Sequence, residues 1–127
     1  MSTAIHVILD SSAMVAAGRG NALASRLIHR AHAESGWLLH ATTCALIEAD
    51  RERRGTAEHI AALPGLTFLD LDLPAALVVA HGHDDWAVAH TLYAAQPSSD
   101  RPEGAVIATT AASLWEPHPV RTLDLNP

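Results

Sequence analysis

The fold class of this chain is decided by the stretch Ile5-His6-Val7-Ile8-Leu9-Asp10-Ser11-Ser12. Five mostly aliphatic residues bounded by a turn-forming Asp-Ser-Ser are typical of a short, buried strand. Runs of the same kind recur at residues 37–41, 66–71, 105–110 and 120–125. The sequence therefore predicts five strands, of which the last lies at an edge of the sheet.

Segments with helical patterns separate these runs. Residues 22–34, for example, carry apolar side chains at Leu23, Leu27 and Ile28, which is helical spacing. The other predicted helices span residues 14–17, 42–54, 56–63, 73–80, 85–96 and 112–116. Strands that alternate with helices indicate βαβ units and a parallel sheet covered on both sides. We therefore predict a three-layer α/β/α sandwich with a mostly parallel central sheet, formed by a single domain of residues 1–127.

Small polar residues stand just before several of these helices. Ser11 or Ser12 is predicted to cap the first helix, Thr42 or Thr43 the third, and Asp84 the one that starts at residue 85. Each side-chain oxygen can accept a hydrogen bond from a backbone N–H group of the first helical turn.

The composition limits the class of function. Hydrophobic residues make up 49% of the 127 residues, which is typical of a globular protein. The formal net charge of −6 argues against a protein that coats nucleic acid through its own positive charge. An acidic protein can still be a nuclease, because bound divalent ions carry the local positive charge. It can equally dock a basic peptide.

Cysteine content and hydropathy predict where the protein works. The single cysteine, Cys44, cannot form an internal disulfide and fits a reducing cytoplasm. No apolar stretch approaches the roughly 18 residues of a membrane-spanning helix. The N-terminus lacks the basic region and apolar core of a signal peptide. We expect a cytoplasmic protein with no membrane segment.

Acidic residues lie at separated places that a parallel sheet can bring together. Asp10 follows the first strand directly, Glu48 lies within a predicted helix, and Asp84 and Asp85 begin another. Ligands of such sheets gather beyond the carboxyl ends of the strands, which is where Asp10 lies. Carboxylates from distant parts of a chain suit Mg²⁺, which prefers oxygen ligands. The pattern predicts metal-dependent phosphodiester chemistry.

Three motifs occur in an order that resembles the PIN-domain family of nucleases, which includes the toxins of VapBC-type toxin–antitoxin pairs. The first motif is Ile8-Leu9-Asp10-Ser11-Ser12-Ala13-Met14, similar to a strand followed by Asp and Ser/Thr. The second is Ala45-Leu46-Ile47-Glu48, similar to a Glu on the helix after the second strand. The third is Asp85-Trp86-Ala87-Val88-Ala89-His90, similar to an Asp that opens a helix with small residues behind it. The resemblance extends from residue 5 to about residue 125.

The resemblance implies a Mg²⁺- or Mn²⁺-dependent ribonuclease that works as a homodimer and, in toxin members, is inhibited by a small antitoxin protein. It implies that the catalytic, metal-binding residues are Asp10, Glu48 and Asp85, with Asp84 assisting. Residues that can hydrogen-bond the ligands or their waters are Ser11, Thr109 and Thr110. Residues that can contact RNA phosphates, unless they only form a charged helix end, are Arg51, Arg53 and Arg54.

The chain departs from the family pattern near its C-terminus. The family often ends a late strand with Thr-x-Asp, and here Ala111 stands in place of the Asp. A second register aligns residues 104–111 with the third motif and puts Gly104 in place of the third acid. We prefer the first register, because it retains an acid at Asp85. The missing acid leaves two hypotheses open: an active ribonuclease, or a PIN-like binding or regulatory module with weak or lost catalysis that acts through protein or nucleic-acid partners.

Overall fold

The structure, a computed structural model, describes residues 4–127, so the first three residues of the predicted domain lie outside the described residues. The strands are β1 (Ile5–Leu9), β2 (Trp37–Thr42), β3 (Leu66–Leu69), β4 (Val106–Thr109) and β5 (Thr122–Asp124). The helices are α1 (Ser11–Gly18), α2 (Ala22–Ala33), α3 (Thr43–Glu52), α4 (Thr56–Ala61), α5 (Leu73–His81), α6 (Trp86–Ala95) and α7 (Ala112–Trp115). Every predicted element is present, and most boundaries differ by only a few residues.

The five strands form one sheet in the order β3-β2-β1-β4-β5, and every pair is parallel. The predicted three-layer α/β fold is therefore confirmed, and β5 lies at an edge as expected. The chain moves outward from β1 to β3 on one side and then returns to place β4 on the other side of β1. This reversal creates a crevice between β1 and β4 at their carboxyl ends, which is the usual ligand position in an open parallel sheet.

Hydrophobic clusters cover both faces of the sheet. On one face Val7 and Leu9 pack with side chains of α1 to α4, including Met14, Leu27 and Ile60. On the other face the buried residues are Ile8, Ala94, Ala95, Ala105, Ile107 and Trp115. Successive residues of β1 therefore point to opposite faces, as a strand covered on both sides requires. None of the helices within residues 4–127 is long and apolar enough to cross a membrane.

Two helix starts differ from the prediction. Asp10, rather than Ser11 or Ser12, caps α1 and accepts a hydrogen bond from the backbone N of Ala13. Asp85, rather than Asp84, caps α6. Both helices begin close enough to these acids for the carboxylate to reach the first turn, and Asp is among the strongest N-cap residues. The prediction for α3 is confirmed, because Thr42 is its cap.

Candidate functional site

A pocket of about 190 Å³ opens beside the carboxyl end of β1. It is lined by Asp10, Ser11, Glu48, Glu52, Asp85, Ala87, Val88, Leu114 and Trp115. We call it the acidic pocket, because four of these side chains are carboxylates. Three of the four acids that the sequence singled out lie in its wall. They come from the end of β1, from α3 and from the start of α6, which are far apart in sequence.

Asp10 is the buried member of the acidic pocket. Its exposed fraction is 4%, and both of its carboxylate oxygens accept hydrogen bonds. Oδ1 accepts from Ser12 Oγ at 2.7 Å and from the backbone N of Ala13 at 2.8 Å. Oδ2 accepts from Trp115 Nε1 at 3.0 Å. A buried carboxylate is costly unless donors compensate for lost water, and three donors do so here.

A short hydrogen-bond network links Asp10 to the end of β4. Ser12 Oγ lies 3.2 Å from Thr109 Oγ1 and accepts a hydrogen bond from the backbone N of Thr110 at 2.9 Å. Thr109 Oγ1 in turn accepts from the backbone N of Ala111 at 2.8 Å. The two threonines named from the sequence are therefore connected to Asp10 through Ser12. Ser11, the other residue named for this role, lines the pocket directly.

The other three carboxylates are exposed at the mouth of the acidic pocket. Glu48 and Glu52 lie one turn apart on α3, so they occupy the same face of that helix. Asp85 Oδ1 accepts the cap hydrogen bond from the backbone N of Val88 at 2.9 Å, and a carboxylate with one such bond keeps acceptor sites for a ligand. These side chains can turn toward a ligand at little cost, because solvent surrounds them.

Some predicted site residues lie elsewhere. Asp84 is exposed and is not among the residues that line the acidic pocket. Three arginines lie at the exposed end of α3 and just after it, also outside the lining: Arg51, Arg53 and Arg54. Arg54 forms a weak ion pair with Asp50 at 3.4 Å.

Three residues of the site were not predicted from the sequence: Ser12, Glu52 and Trp115. Glu52 had a signal, because it follows Glu48 by four residues on a predicted helix. Ser12 had a weaker one, since it stands two residues after Asp10. Trp115 had none, because 105 positions separate it from Asp10 and nothing in the local pattern predicts their contact.

The donor set of the acidic pocket fits a hard divalent cation. Within residues 4–127 no three His, Cys, Asp or Glu side chains are grouped closely enough to hold a metal ion. Mg²⁺ does not require such a group, because it usually keeps several waters and is held by one or two carboxylates. Asp10 is fixed by its donors, and the three exposed acids can approach an ion from the mouth. All of these groups offer oxygen, which excludes a thiolate or imidazole site in this pocket.

A second polar cluster lies on the neighbouring strands β1 and β2. His6 Nδ1 is 2.9 Å from His40 Nε2, and we call these residues the histidine pair. His40 Nδ1 is buried without a hydrogen-bond partner in the described part of the chain. Burial lowers the pKa of His40 to about 4, and His6 and the Arg101 guanidinium contribute. The pKa of His6 is also lowered, again mainly by burial. The histidine pair is therefore neutral near pH 7.

Several large apolar side chains are exposed close to the acidic pocket, either in its lining or next to its acids in sequence. Leu114 lines the pocket and is 47% exposed, while Ile47 and Trp86, which are 58% and 70% exposed, adjoin Glu48 and Asp85 in sequence. Further exposed apolar residues lie on α5 at Leu73, Leu77 and Val78. Exposed apolar groups of this size next to charged groups are typical of interaction surfaces.

No model of a known protein family matches the chain, and no curated protein matches it in sequence. The resemblance to PIN-domain nucleases therefore stays a prediction. Support for a function comes from the pocket and its surroundings.

Proposed function

We propose that this protein is a Mg²⁺- or Mn²⁺-dependent ribonuclease with a PIN-like site in the acidic pocket. One observation carries the proposal: the pocket is lined by carboxylates from three separated elements beside the carboxyl end of β1, where parallel sheets usually bind ligands. A purely structural role does not require exposed acids to lie together, because like charges repel one another.

Each residue has a role that follows from its surroundings. A bound divalent ion supplies the positive charge that activates water and stabilises the leaving oxygen of a phosphodiester. Asp10 is the fixed ligand, because three donors hold its carboxylate in one orientation. Glu48 and Asp85 orient the attacking water and accept its proton from the mouth of the pocket. Glu52 adds a fourth carboxylate, and so offsets the absence of an acid at Ala111.

The exposed apolar groups favour a second candidate, a binding module without effective catalysis. An acidic pocket that is lined by Leu114, with the exposed residues Ile47 and Trp86 next to its acids in sequence, suits a basic amphipathic peptide, such as a segment of an antitoxin. The basic side chains would pair with the acids and the apolar ones would cover the exposed groups. The lack of an acid at Ala111 also favours this candidate.

The exposed side chains of α5 support a homodimer. Leu73 is 72% exposed and Leu77 is 50% exposed, and burial of such groups against a second copy is favourable. Sedimentation equilibrium of the parent and of a Leu73→Ser, Leu77→Ser variant tests this part. A dimeric parent and a monomeric variant are expected, and a monomeric parent contradicts the proposal.

Metal-dependent cleavage of a mixed RNA pool distinguishes the two candidate functions. The parent is assayed with Mg²⁺, with Mn²⁺ and with a chelator, beside Asp10→Asn, Glu48→Gln and the charge-matched control Asp100→Asn. Asp100 is an exposed loop residue outside the pocket. The enzyme hypothesis predicts cleavage by the parent and by Asp100→Asn, and a loss of at least about 100-fold in the two pocket variants. A folded parent that cleaves under none of these conditions favours the binding module.

A variant of Asp84 tests whether the metal site includes an acid outside the lining of the pocket. Asp84→Asn, assayed in the same series, tests the prediction that this residue assists the metal. Cleavage reduced as strongly as in Glu48→Gln supports that role. Unchanged cleavage limits the site to the acids that line the pocket.

A further inference from the structure

Trp115 makes the longest-range side-chain contact of the acidic pocket. It ends α7, the four-residue helix that follows β4, and only 2% of its surface is exposed. Its ring packs in the apolar cluster with Ile8 and Ile107, while its Nε1 donates to Asp10 Oδ2 at 3.0 Å. The indole therefore joins the apolar interior to the polar pocket.

The indole N–H is the third hydrogen-bond donor that holds the Asp10 carboxylate in one orientation. The donors on Oδ1, Ser12 Oγ and the backbone N of Ala13, hold one oxygen, and Trp115 holds the other. Three donors on two oxygens fix both the position and the plane of the group. A carboxylate oxygen has two acceptor sites, so the indole leaves one site on Oδ2 for a ligand.

We propose that Trp115 is a positioning residue for Asp10, which orients Oδ2 toward a divalent cation in the acidic pocket. This inference rests on the proposed function. Hydrogen-bond donors behind a ligating carboxylate fix its orientation, and their loss typically lowers metal affinity about 10- to 100-fold. In this chain the segment that begins with Ala111 contributes an indole N–H in place of a carboxylate. A cation held by Asp10 would withdraw electron density from the carboxylate and so would change the N–H···O hydrogen bond from Trp115.

The indole N–H gives a direct readout in the unmodified protein. Indole signals of Trp37, Trp86 and Trp115 are recorded in ¹H–¹⁵N spectra, assigned with single Trp→Phe variants and followed during addition of Mg²⁺. We expect the Trp115 signal to move and to saturate with the metal. Trp37 on β2 is the control, because it does not line the acidic pocket; its ring centroid lies 4.0 Å from Cζ of Arg30. Its signal is expected to stay in place.

Metal affinity provides the second readout. Binding of Mn²⁺ alone is measured by electron paramagnetic resonance for the parent, Trp115→Phe and the matched control Trp37→Phe. We expect Trp115→Phe to bind about 10- to 100-fold more weakly, and Trp37→Phe to bind like the parent. Because Trp115 is buried, Trp115→Phe can fail to fold. Trp115 is therefore also replaced by benzothienylalanine, which keeps the ring size and removes the N–H donor. This replacement is made in a Trp37→Phe, Trp86→Phe background, so that Trp115 is the one position changed to the analogue. Weakened Mn²⁺ binding in that protein supports the proposal even if Trp115→Phe fails to fold.

The outcomes separate this inference from the proposed function. Metal binding and RNA cleavage with an unmoved Trp115 signal, and with unchanged affinity after removal of the N–H, overturn the role of Trp115 and leave the nuclease standing. No metal effect on any indole signal, no Mn²⁺ binding and no cleavage overturn both.

Discussion

The acidic pocket and the histidine pair are two polar sites at the central strand β1, and they differ in how the hydrogen-bonding groups of their buried residues are satisfied. Asp10 is buried with a donor on each oxygen, beside exposed acids and an open mouth. His40 is just as buried, but its Nδ1 has no partner in the described residues. A buried polar group alone therefore does not indicate a ligand site. The donors around Asp10 hold its carboxylate in one orientation beside an accessible opening, which is the arrangement that the proposed metal site requires.

The largest expected effect on stability comes from Asp10→Asn. Its amide offers one acceptor and one donor, so in either orientation an N–H of the side chain faces a donor, either Trp115 Nε1 or the Ala13 N. We expect the free energy of unfolding to fall by roughly 2–3 kcal/mol. Asp85→Asn is the matched control, because one amide oxygen is enough for the cap, and it should change stability by less than about 0.5 kcal/mol.

Urea unfolding at pH 7 without metal measures both variants. An Asp10→Asn protein as stable as the parent would show that the three donors do not hold this carboxylate. Cleavage assays are run at a temperature where the variant is folded, so that lost activity is not a result of unfolding.

The histidine pair predicts a pH-dependent stability that the acidic pocket does not explain. The folded protein protonates His40 only near pH 4, whereas the unfolded chain does so near 6.5. The stabilising contribution is therefore complete above about pH 6.5 and is lost as the pH falls toward 4, with an amplitude of roughly 1–3 kcal/mol. The free energy of unfolding at pH 7.5 and at pH 5 measures it.

Two variants isolate this effect. In His40→Leu the difference in unfolding free energy between pH 7.5 and pH 5 should shrink. In His83→Gln, where the residue is exposed, the difference should equal that of the parent. An unchanged pH dependence in His40→Leu would assign the effect to other groups.

A smaller effect is expected from Thr109→Val, which keeps the shape of the side chain and removes its hydroxyl. The backbone N of Ala111 and Ser12 Oγ then lose a hydrogen-bond partner in the network that leads to Asp10. We expect a loss of about 1–2 kcal/mol in urea unfolding. Thr67→Val on β3, where the residue is exposed, should leave stability within about 0.5 kcal/mol. Equal losses in the two variants would mean that the hydrogen-bond network near Asp10 does not contribute to the free energy of unfolding.

The smallest effect on stability is expected at the exposed end of α3. Arg54 is 80% exposed and 3.4 Å from Asp50, so Arg54→Gln should change the free energy of unfolding by less than about 0.5 kcal/mol. If the arginines bind RNA phosphates, a variant with all three replaced by Gln (Arg51, Arg53 and Arg54) shows a weaker salt dependence of RNA binding. The slope of log affinity against log salt should fall by about 0.7 for each arginine–phosphate pair that the substitutions remove. An unchanged slope would assign these residues to a solvated helix end.

The sequence predicted the fold well because its signals are local and repeated. Each buried strand is an aliphatic run, and each helix has its own spacing and boundary residues. The end of β1 predicted the place of Asp10, since the carboxyl ends of parallel strands share one edge. The two cap errors arose because α1 starts three residues earlier, and α6 one residue later, than predicted, and such a shift changes which side chain reaches the first turn.

The site was harder to predict than the fold because it depends on contacts between distant residues. Glu48 and Asp85 lie in one wall because α3 packs against α6. The order of the motifs suggested that these two acids meet, but the residues alone did not establish the packing of the two helices. The contact between Asp10 and Trp115 depends on how the chain turns after β4. Such a turn is set by tertiary packing, and Trp115 taken alone predicts only a buried apolar residue.

The proposed function requires that Asp10 and the exposed acids of the pocket bind one divalent cation. Binding of Mn²⁺ is therefore measured by electron paramagnetic resonance with the parent, Asp10→Asn and Asp100→Asn. We expect saturable binding to the parent and to Asp100→Asn, and loss of that binding in a folded Asp10→Asn protein. Equal binding by all three proteins, or no binding by the parent at millimolar Mn²⁺, would contradict it.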